Sequence, residues 1–174
     1  QWLRGGTRWV LKSPQHLEQF PALLDTFPDA TFVVTHRDPV AVTTSMVTML
    51  AYTARLTRDR VDVPGIGHYW ADRLGLMLGD CALQRSILPA DRTIDVHFDQ
   101  FMTDDLAMVA RVYEVAHQPL DSSASDAMRR FVAEHPRGKF GAIDYDLAEF
   151  ELDPVELRAA FSFYSERFGV TPES

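Results

Sequence analysis

The sequence is short of cysteine, of long apolar runs and of net positive charge, and each shortage removes a class of protein. One cysteine, Cys81, among 174 residues cannot close an internal disulfide, which excludes a disulfide-stapled scaffold. Its place on an apolar helical face points to core packing in a reducing compartment, so a cytoplasmic location is expected. No apolar run approaches the roughly 20 residues that span a bilayer. Lys and Arg number 17 against 25 Asp and Glu, a formal charge of −8. That balance argues against a nucleic-acid binder, which needs clustered cations to displace phosphate counterions. Any phosphate contact must be local. Repeats, low-complexity tracts and long linkers are also missing, because Pro and Gly fall as punctuation between periodic segments. The opening Gln-Trp-Leu-Arg-Gly-Gly has neither an initiator Met nor the form of a signal peptide, and an amino-terminally truncated domain is expected.

What is present suits a single globular unit over residues 1–174: 46% hydrophobic and 24% charged residues are enough for one filled core. Arg8 to Lys12 reads as a short strand. Gln15 to Phe27 reads as a helix, since Leu17, Phe20, Leu23, Leu24 and Phe27 recur at three- and four-residue spacing. Thr31 to Thr35 is a β-branched and aromatic run typical of a buried strand, followed by His-Arg-Asp-Pro and a helix from about Pro39 to Arg55. A further helix is expected from about Gly67 to Ile87, a third strand over Thr93 to Phe98, and helices around Leu106 to Tyr113 and Ser122 to Ala133. Asp153-Pro154-Val155-Glu156 is a reciprocal capping arrangement that starts a helix running to Phe168, with Gly169 as its stop. Strands alternating with longer helices imply an α/β fold, a short parallel sheet with helices on both faces.

In such sheets ligands lie outside the carboxyl ends of the strands, where Lys12-Ser13-Pro14-Gln15-His16 and Thr35-His36-Arg37-Asp38-Pro39 both fall. A helix starting just after Arg37 offers free N–H groups and a positive dipole end to an anion, and Arg37 adds a bidentate fork. Ser45 lies about two turns into that helix, within reach of the same anion. Arg37 fits a structural role equally well, paired with Asp38 or another acid. The histidines at 36, 68, 97, 117 and 135 show no zinc-ligand spacing, and no metal is expected.

The block Arg-Trp-Val-Leu-Lys-Ser-Pro-Gln-His-Leu, then Phe-Pro-Asp-Ala-Thr-Phe-Val-Val-Thr-His-Arg-Asp-Pro-Val with a Ser eight residues after the Arg, resembles the bacterial branch of the sulfotransferase superfamily. The likeness continues through Asp-Val-His-Phe-Asp-Gln-Phe, the His135 to Lys139 loop and the closing Phe161 to Val170 helix. It corresponds to the carboxyl-terminal two thirds of that domain, and implies a three-layer fold similar to the P-loop kinases. The implied donor is 3′-phosphoadenosine 5′-phosphosulfate (PAPS), with Arg37 and Ser45 on its 3′-phosphate, Phe98 near the adenine, and Arg137, Gly138 and Lys139 closing over the 3′-phosphate. By the same resemblance Lys12 stands near the transferred sulfuryl group. His16 is the nearest residue able to accept the acceptor's proton, although Pro14 occupies the place where the animal cytosolic branch carries its catalytic His. Each has a plainer reading: Phe98 as core, Arg137 to Lys139 as a solvated basic turn, Lys12 as a surface charge, and His16 as a helix-start contact to a carboxylate.

Two departures qualify the resemblance. The family's phosphate loop, which grips the 5′-phosphosulfate through backbone N–H groups, has no counterpart, since Gly5-Gly6 lacks the required spacing. Phe140 to Tyr145 is apolar or acidic where the bacterial branch carries His and Arg. The expectation is therefore a sulfotransferase moving a sulfuryl group from PAPS to a small-molecule, carbohydrate or lipid-like hydroxyl acceptor, with these 174 residues inactive alone. A homodimer is open to it. The competing readings are a catalytically degenerate interaction module and an ATP-using P-loop kinase relative, the latter opposed by the lack of a Gly-Lys-Ser/Thr loop. Thr53 to Trp70 is the expected acceptor region, unless Tyr52, Tyr69 and Trp70 simply fill a core.

Overall fold

A computed structural model describes residues 8–136 and 146–173 of the chain. In chain order the elements are a 3-10 turn (Pro14–Glu18), α1 (Phe20–Thr26), β1 (Phe32–His36), α2 (Pro39–Arg55), α3 (Val63–Gln84), two 3-10 turns (Arg85–Ile87 and Ala90–Arg92), β2 (Thr93–His97), α4 (Phe98–Thr103), α5 (Asp105–Val115), α6 (Ser122–Glu134), a 3-10 turn (Leu147–Phe150), α7 (Pro154–Ala160) and α8 (Ser162–Phe168).

β1 and β2 pair in parallel, Phe32 opposite Thr93 through His36 opposite His97. Opposed residues of a parallel pair share a face, and side chains alternate along each strand. Val34 and His36 therefore lie with Asp95 and His97, while Val33 and Thr35 lie with Ile94 and Val96. The first face packs on α3 and on α7 and α8 through Val34, Leu74, Leu78, Cys81, Phe161 and Tyr164. The second meets α5, where Ile94 and Val96 bury against Met108 with Val112 beside them. This is the helix-sheet-helix order expected. The α5 layer covers β2 only, for Val33 and Thr35 on β1 are exposed. Each fully buried aliphatic or aromatic side chain in these layers contributes about 1.5–3 kcal/mol.

Local chemistry explains the element ends. Asp38 caps α2 by accepting from Val40 N at 3.0 Å, with Pro39 in the first helical position. Four threonines in α2, at 43, 44, 48 and 53, turn their hydroxyls onto the carbonyl four residues back, so poor helix formers are accommodated without stranding a polar group. Asp62 caps α3 through Gly65 N at 3.0 Å, which starts that helix at Val63, ahead of the expected Gly67. Gly67 itself is buried where α3 meets the Leu147–Phe150 turn: a Cβ there would lie 2.8 Å from Phe150 Cβ.

Three expectations need correction. Arg8 to Lys12 forms no strand. Val10 is 95% exposed, and without a ladder partner an extended segment has no means of satisfying its backbone in a sheet. The single helix expected over Gln15 to Phe27 is broken at Gln19 into a 3-10 turn and α1, because Pro21 has no N–H and its ring excludes the carbonyl four residues back. The closing helix is likewise divided at Phe161 into α7 and α8. There Phe161 and Tyr164 are 3% and 2% exposed, and the chain tightens by bonding Tyr164 N to Phe161 O so that both rings enter the core. Gly169 ends α8 at φ 64°, the left-handed conformation that suits glycine.

Candidate functional site

The carboxyl ends of β1 and β2 deliver His36-Arg37-Asp38 and His97-Phe98-Asp99 side by side, and the segment after α8, Val170 to Glu173, passes in front of them. The pairing of His36 with His97 sets the next residues, Arg37 and Phe98, next to each other. The Arg37 guanidinium sits 4.1 Å from the centre of the Phe98 ring, a cation–π contact that orients the fork. Its Nε and Nη2 each donate at 2.7 Å to the two carboxylate oxygens of Glu173. Glu173 N–H in turn donates to Asp38 Oδ2 at 2.8 Å, and the same oxygen faces Arg158 Nη1 at 3.4 Å. Asp38, 4% exposed, thus caps α2 with one oxygen and moors Glu173 and Arg158 with the other. The space remaining among these groups is about 30 Å³.

Beneath Arg37 lies a buried polar chain. His36 is 1% exposed; its Nε2 is 2.8 Å from Asp95 Oδ1 and its Nδ1 is 2.7 Å from the Tyr164 hydroxyl. Asp95 accepts only, so Nε2–H is the donor, and in the neutral imidazole Nδ1 accepts from Tyr164. Arg85 closes the chain with a fork on Asp95, Nε to Oδ1 at 2.9 Å and Nη2 to Oδ2 at 2.6 Å. Burial by itself raises the Asp95 carboxyl, but the hydrogen bonds from His36 and Arg85 outweigh it and hold the group well below the usual carboxylate range. Burial pushes the Tyr164 hydroxyl far above the ordinary phenol range, so it remains a donor. The His36 ring also stacks on Phe168 with centroids 4.5 Å apart. β1, β2, α8 and the Arg85 turn are thereby tied to the residue before Arg37.

Of the residues singled out in the sequence, the structure brings Arg37 and Phe98 together. Ser45 is half-buried on α2, seven residues past the Asp38 cap and so roughly 10 Å along the axis; it does not line the space around Arg37. Lys12 is exposed in the segment before the Pro14–Glu18 turn, and His16 is half-buried within that turn, which packs on α3 with Glu18 bonded to Arg73. Neither reaches the Arg37 space. Arg137, Gly138 and Lys139, like the Phe140 to Tyr145 stretch, lie outside the described residues. A second, open cleft of about 300 Å³ is lined by Arg58, Asp62, Gly65, Ile66, Tyr69 and Trp70, within the expected acceptor region. Among the described residues no group of three His, Cys, Asp or Glu is gathered to hold a metal ion, and no helix is long and apolar enough to cross a membrane.

Sequence reasoning missed His36, Asp95, Tyr164 and Glu173. A signal for the first two existed: strand alternation places both on the face of Val34, and a carboxylate in mid-strand on a buried face requires a partner. Nothing local in the sequence announces Glu173.

The family model for the sulfotransferase family matches residues 1–122, which include β1, the Arg37 corner, β2 and Phe98. The chain belongs to the sulfotransferase family. Comparison with curated proteins gives no match. Among solved structures, this sulfotransferase-family chain is similar to the sulfotransferase STF9 from Mycobacterium avium, with 27% identity over 95% of this chain and 43% of that one and a TM-score of 0.83. It is also similar to the sulfotransferase STF1 from Mycobacterium tuberculosis H37Rv, with 26% identity over 89% of this chain and 39% of that one and a TM-score of 0.68. The chain thus spans about two fifths of the length of the solved chains it matches, and the helix-rich α/β fold with its short parallel sheet is the sulfotransferase fold.

Proposed function

We propose that this sulfotransferase-family chain carries the 3′-phosphate side of a PAPS site, and that the whole protein transfers a sulfuryl group from PAPS to a hydroxyl of a small-molecule acceptor. One observation carries the reading: Arg37 stands at the joined carboxyl ends of β1 and β2, at the amino end of α2, with its fork held over the Phe98 ring. An always-charged planar fork at the amino end of a helix matches a phosphate dianion in charge and shape. In this reading Ser45, Arg137, Gly138 and Lys139 complete the 3′-phosphate contacts. The acceptor oxygen attacks sulfur in line, the bond from sulfur to the bridging phosphate oxygen breaks, and adenosine 3′,5′-bisphosphate leaves with the electron pair. Lys12 offsets the charge that builds on the leaving oxygen, and His16 takes the hydroxyl proton. The acceptor is a carbohydrate or lipid-like alcohol. Because these 174 residues hold no Gly-rich phosphate loop for the sulfate end, they bind nucleotide without turning it over.

A second reading draws on Glu173, whose carboxylate fills the Arg37 fork: a degenerate domain in which that pair is purely structural. Calorimetry with adenosine 3′,5′-bisphosphate separates the two. Micromolar binding that is lost in Arg37→Ala supports the donor site, whereas no binding by the full-length protein refutes it and leaves the degenerate module. Displacement of the bisphosphate by equimolar ATP would instead favour a kinase relative.

A further inference from the structure

We propose that the Val170–Glu173 segment is a built-in competitor for the donor, with Glu173 holding the Arg37 fork in place of a phosphate until nucleotide displaces it. The proposal rests on the reading of Arg37 as the 3′-phosphate ligand. Three observations carry it. First, the Glu173 carboxylate takes two parallel hydrogen bonds at 2.7 Å from Nε and Nη2, the geometry in which a guanidinium receives two oxygens of a phosphate. One fork edge cannot serve both anions. Second, Glu173 itself lines the pocket at Arg37, together with Asp38 and Phe98, so a phosphate takes this edge of the fork only if Glu173 withdraws. Third, the segment is placed to withdraw beyond Val170, which stays packed on the core with its N–H on Ser165 O. It follows Gly169, whose φ of 64° ends α8, belongs to no helix or strand, and includes Pro172, which has no N–H to join one. Besides the fork, Glu173 is moored by one hydrogen bond from its N–H to Asp38 Oδ2. The Arg37 and Glu173 side chains are 39% and 34% exposed, and water screening keeps such a pair weak enough to be exchanged.

The consequence is a donor affinity set below what Arg37 alone supports, and a carboxylate ready to re-enter as the bisphosphate product departs. Glu173→Gln keeps the shape and removes the charge. Calorimetric titration of the wild-type chain and of Glu173→Gln with adenosine 3′,5′-bisphosphate is expected to show binding about three- to tenfold tighter in the variant. The gain should vanish with adenosine 5′-monophosphate, which lacks the 3′-phosphate, and should vanish in an Arg37→Ala background. In amide spectra of the wild-type chain, the Glu173 resonance should shift on addition of the bisphosphate and its hydrogen exchange should accelerate. Equal affinities in wild type and variant, or bisphosphate binding that leaves the Glu173 amide unmoved, would overturn the competitor while the Arg37 site stands. If neither protein binds the bisphosphate, the donor reading fails, and the competitor with it.

Discussion

Replacing Tyr164 by Phe removes one oxygen atom from the core and isolates the energetic role of the buried polar chain under Arg37. The ring remains, so the apolar area buried by a residue 2% exposed hardly changes, and hydrophobic burial contributes nothing to the difference. What changes is His36 Nδ1, 2.7 Å from the lost hydroxyl and on a side chain with no solvent exposure. Nε2 is already committed to Asp95, so the ring cannot turn to find another partner without breaking that bond. An unpaired buried acceptor costs about 1–3 kcal/mol. For a domain of this size each kcal/mol moves Tm by roughly 2–4 °C, so Tyr164→Phe should melt about 2–12 °C below wild type in a scanning calorimeter. Tyr69→Phe is the matched control: its side chain is 61% exposed, and the change should stay within about 0.5 kcal/mol. If Tyr164→Phe melts with Tyr69→Phe and wild type, the assignment of Nδ1 as an acceptor that depends on Tyr164 is wrong.

Three further outcomes follow from the packing. Gly67→Ala brings a Cβ to 2.8 Å from Phe150 Cβ and 2.9 Å from Phe150 O, contacts that only a backbone shift relieves; the cost of overpacking exceeds the helix-propensity gain of about 1 kcal/mol, and urea titration should show a net loss of about 1–2 kcal/mol. Burial, with help from Asp95, pushes the Cys81 thiol up to about 11, so at pH 8 it is neutral as well as inaccessible. A chromogenic disulfide reagent should then find no thiol in the native chain and one after denaturation. Asp95 is held below its unfolded value by His36 and Arg85 against the opposing effect of burial, so its contribution is fully present above pH of about 4 and is lost as pH falls through the depressed value. Asp95 keeps 35% side-chain exposure, which limits the effect to about 1 kcal/mol; Asp95→Asn should flatten the fall of stability between pH 5 and 2, and an unchanged acid limb would refute the linkage.

Much of this organisation is written in short-range patterns. The Asp38-Pro39 start of α2, the Thr93 strand, the Asp153-Pro154 cap and the Gly169 stop all follow from local backbone chemistry, and the structure keeps them within a residue or so. The strand expected at Arg8 to Lys12 fails for a non-local reason: strand composition does not supply a ladder partner. The breaks at Gln19 and Phe161 show the two ways a periodic pattern misleads, one through a proline whose effect reaches four residues back, the other through two rings that must both enter the core. At the site, Arg37 stands out in the sequence because it follows a strand end, whereas Phe98 is singled out only through the resemblance to the sulfotransferases. Their mutual contact depends on the parallel register, and the closure of Arg37 by Glu173 depends on a segment more than 130 positions away, which no window along the sequence can reveal.

The register that joins Phe32 to Thr93 ties strands about sixty residues apart, with α2 and α3 between them. Closing so long a loop is costly in chain entropy, and each doubling of length adds about 0.6 kcal/mol before any pairing rewards it. The helical hairpin of α2 and α3, rich in contacts between near neighbours, can form first and shorten the effective loop, so sheet pairing is expected late in folding. Because Arg37 and Phe98 meet only through that pairing, the corner they form is expected to be completed late in folding.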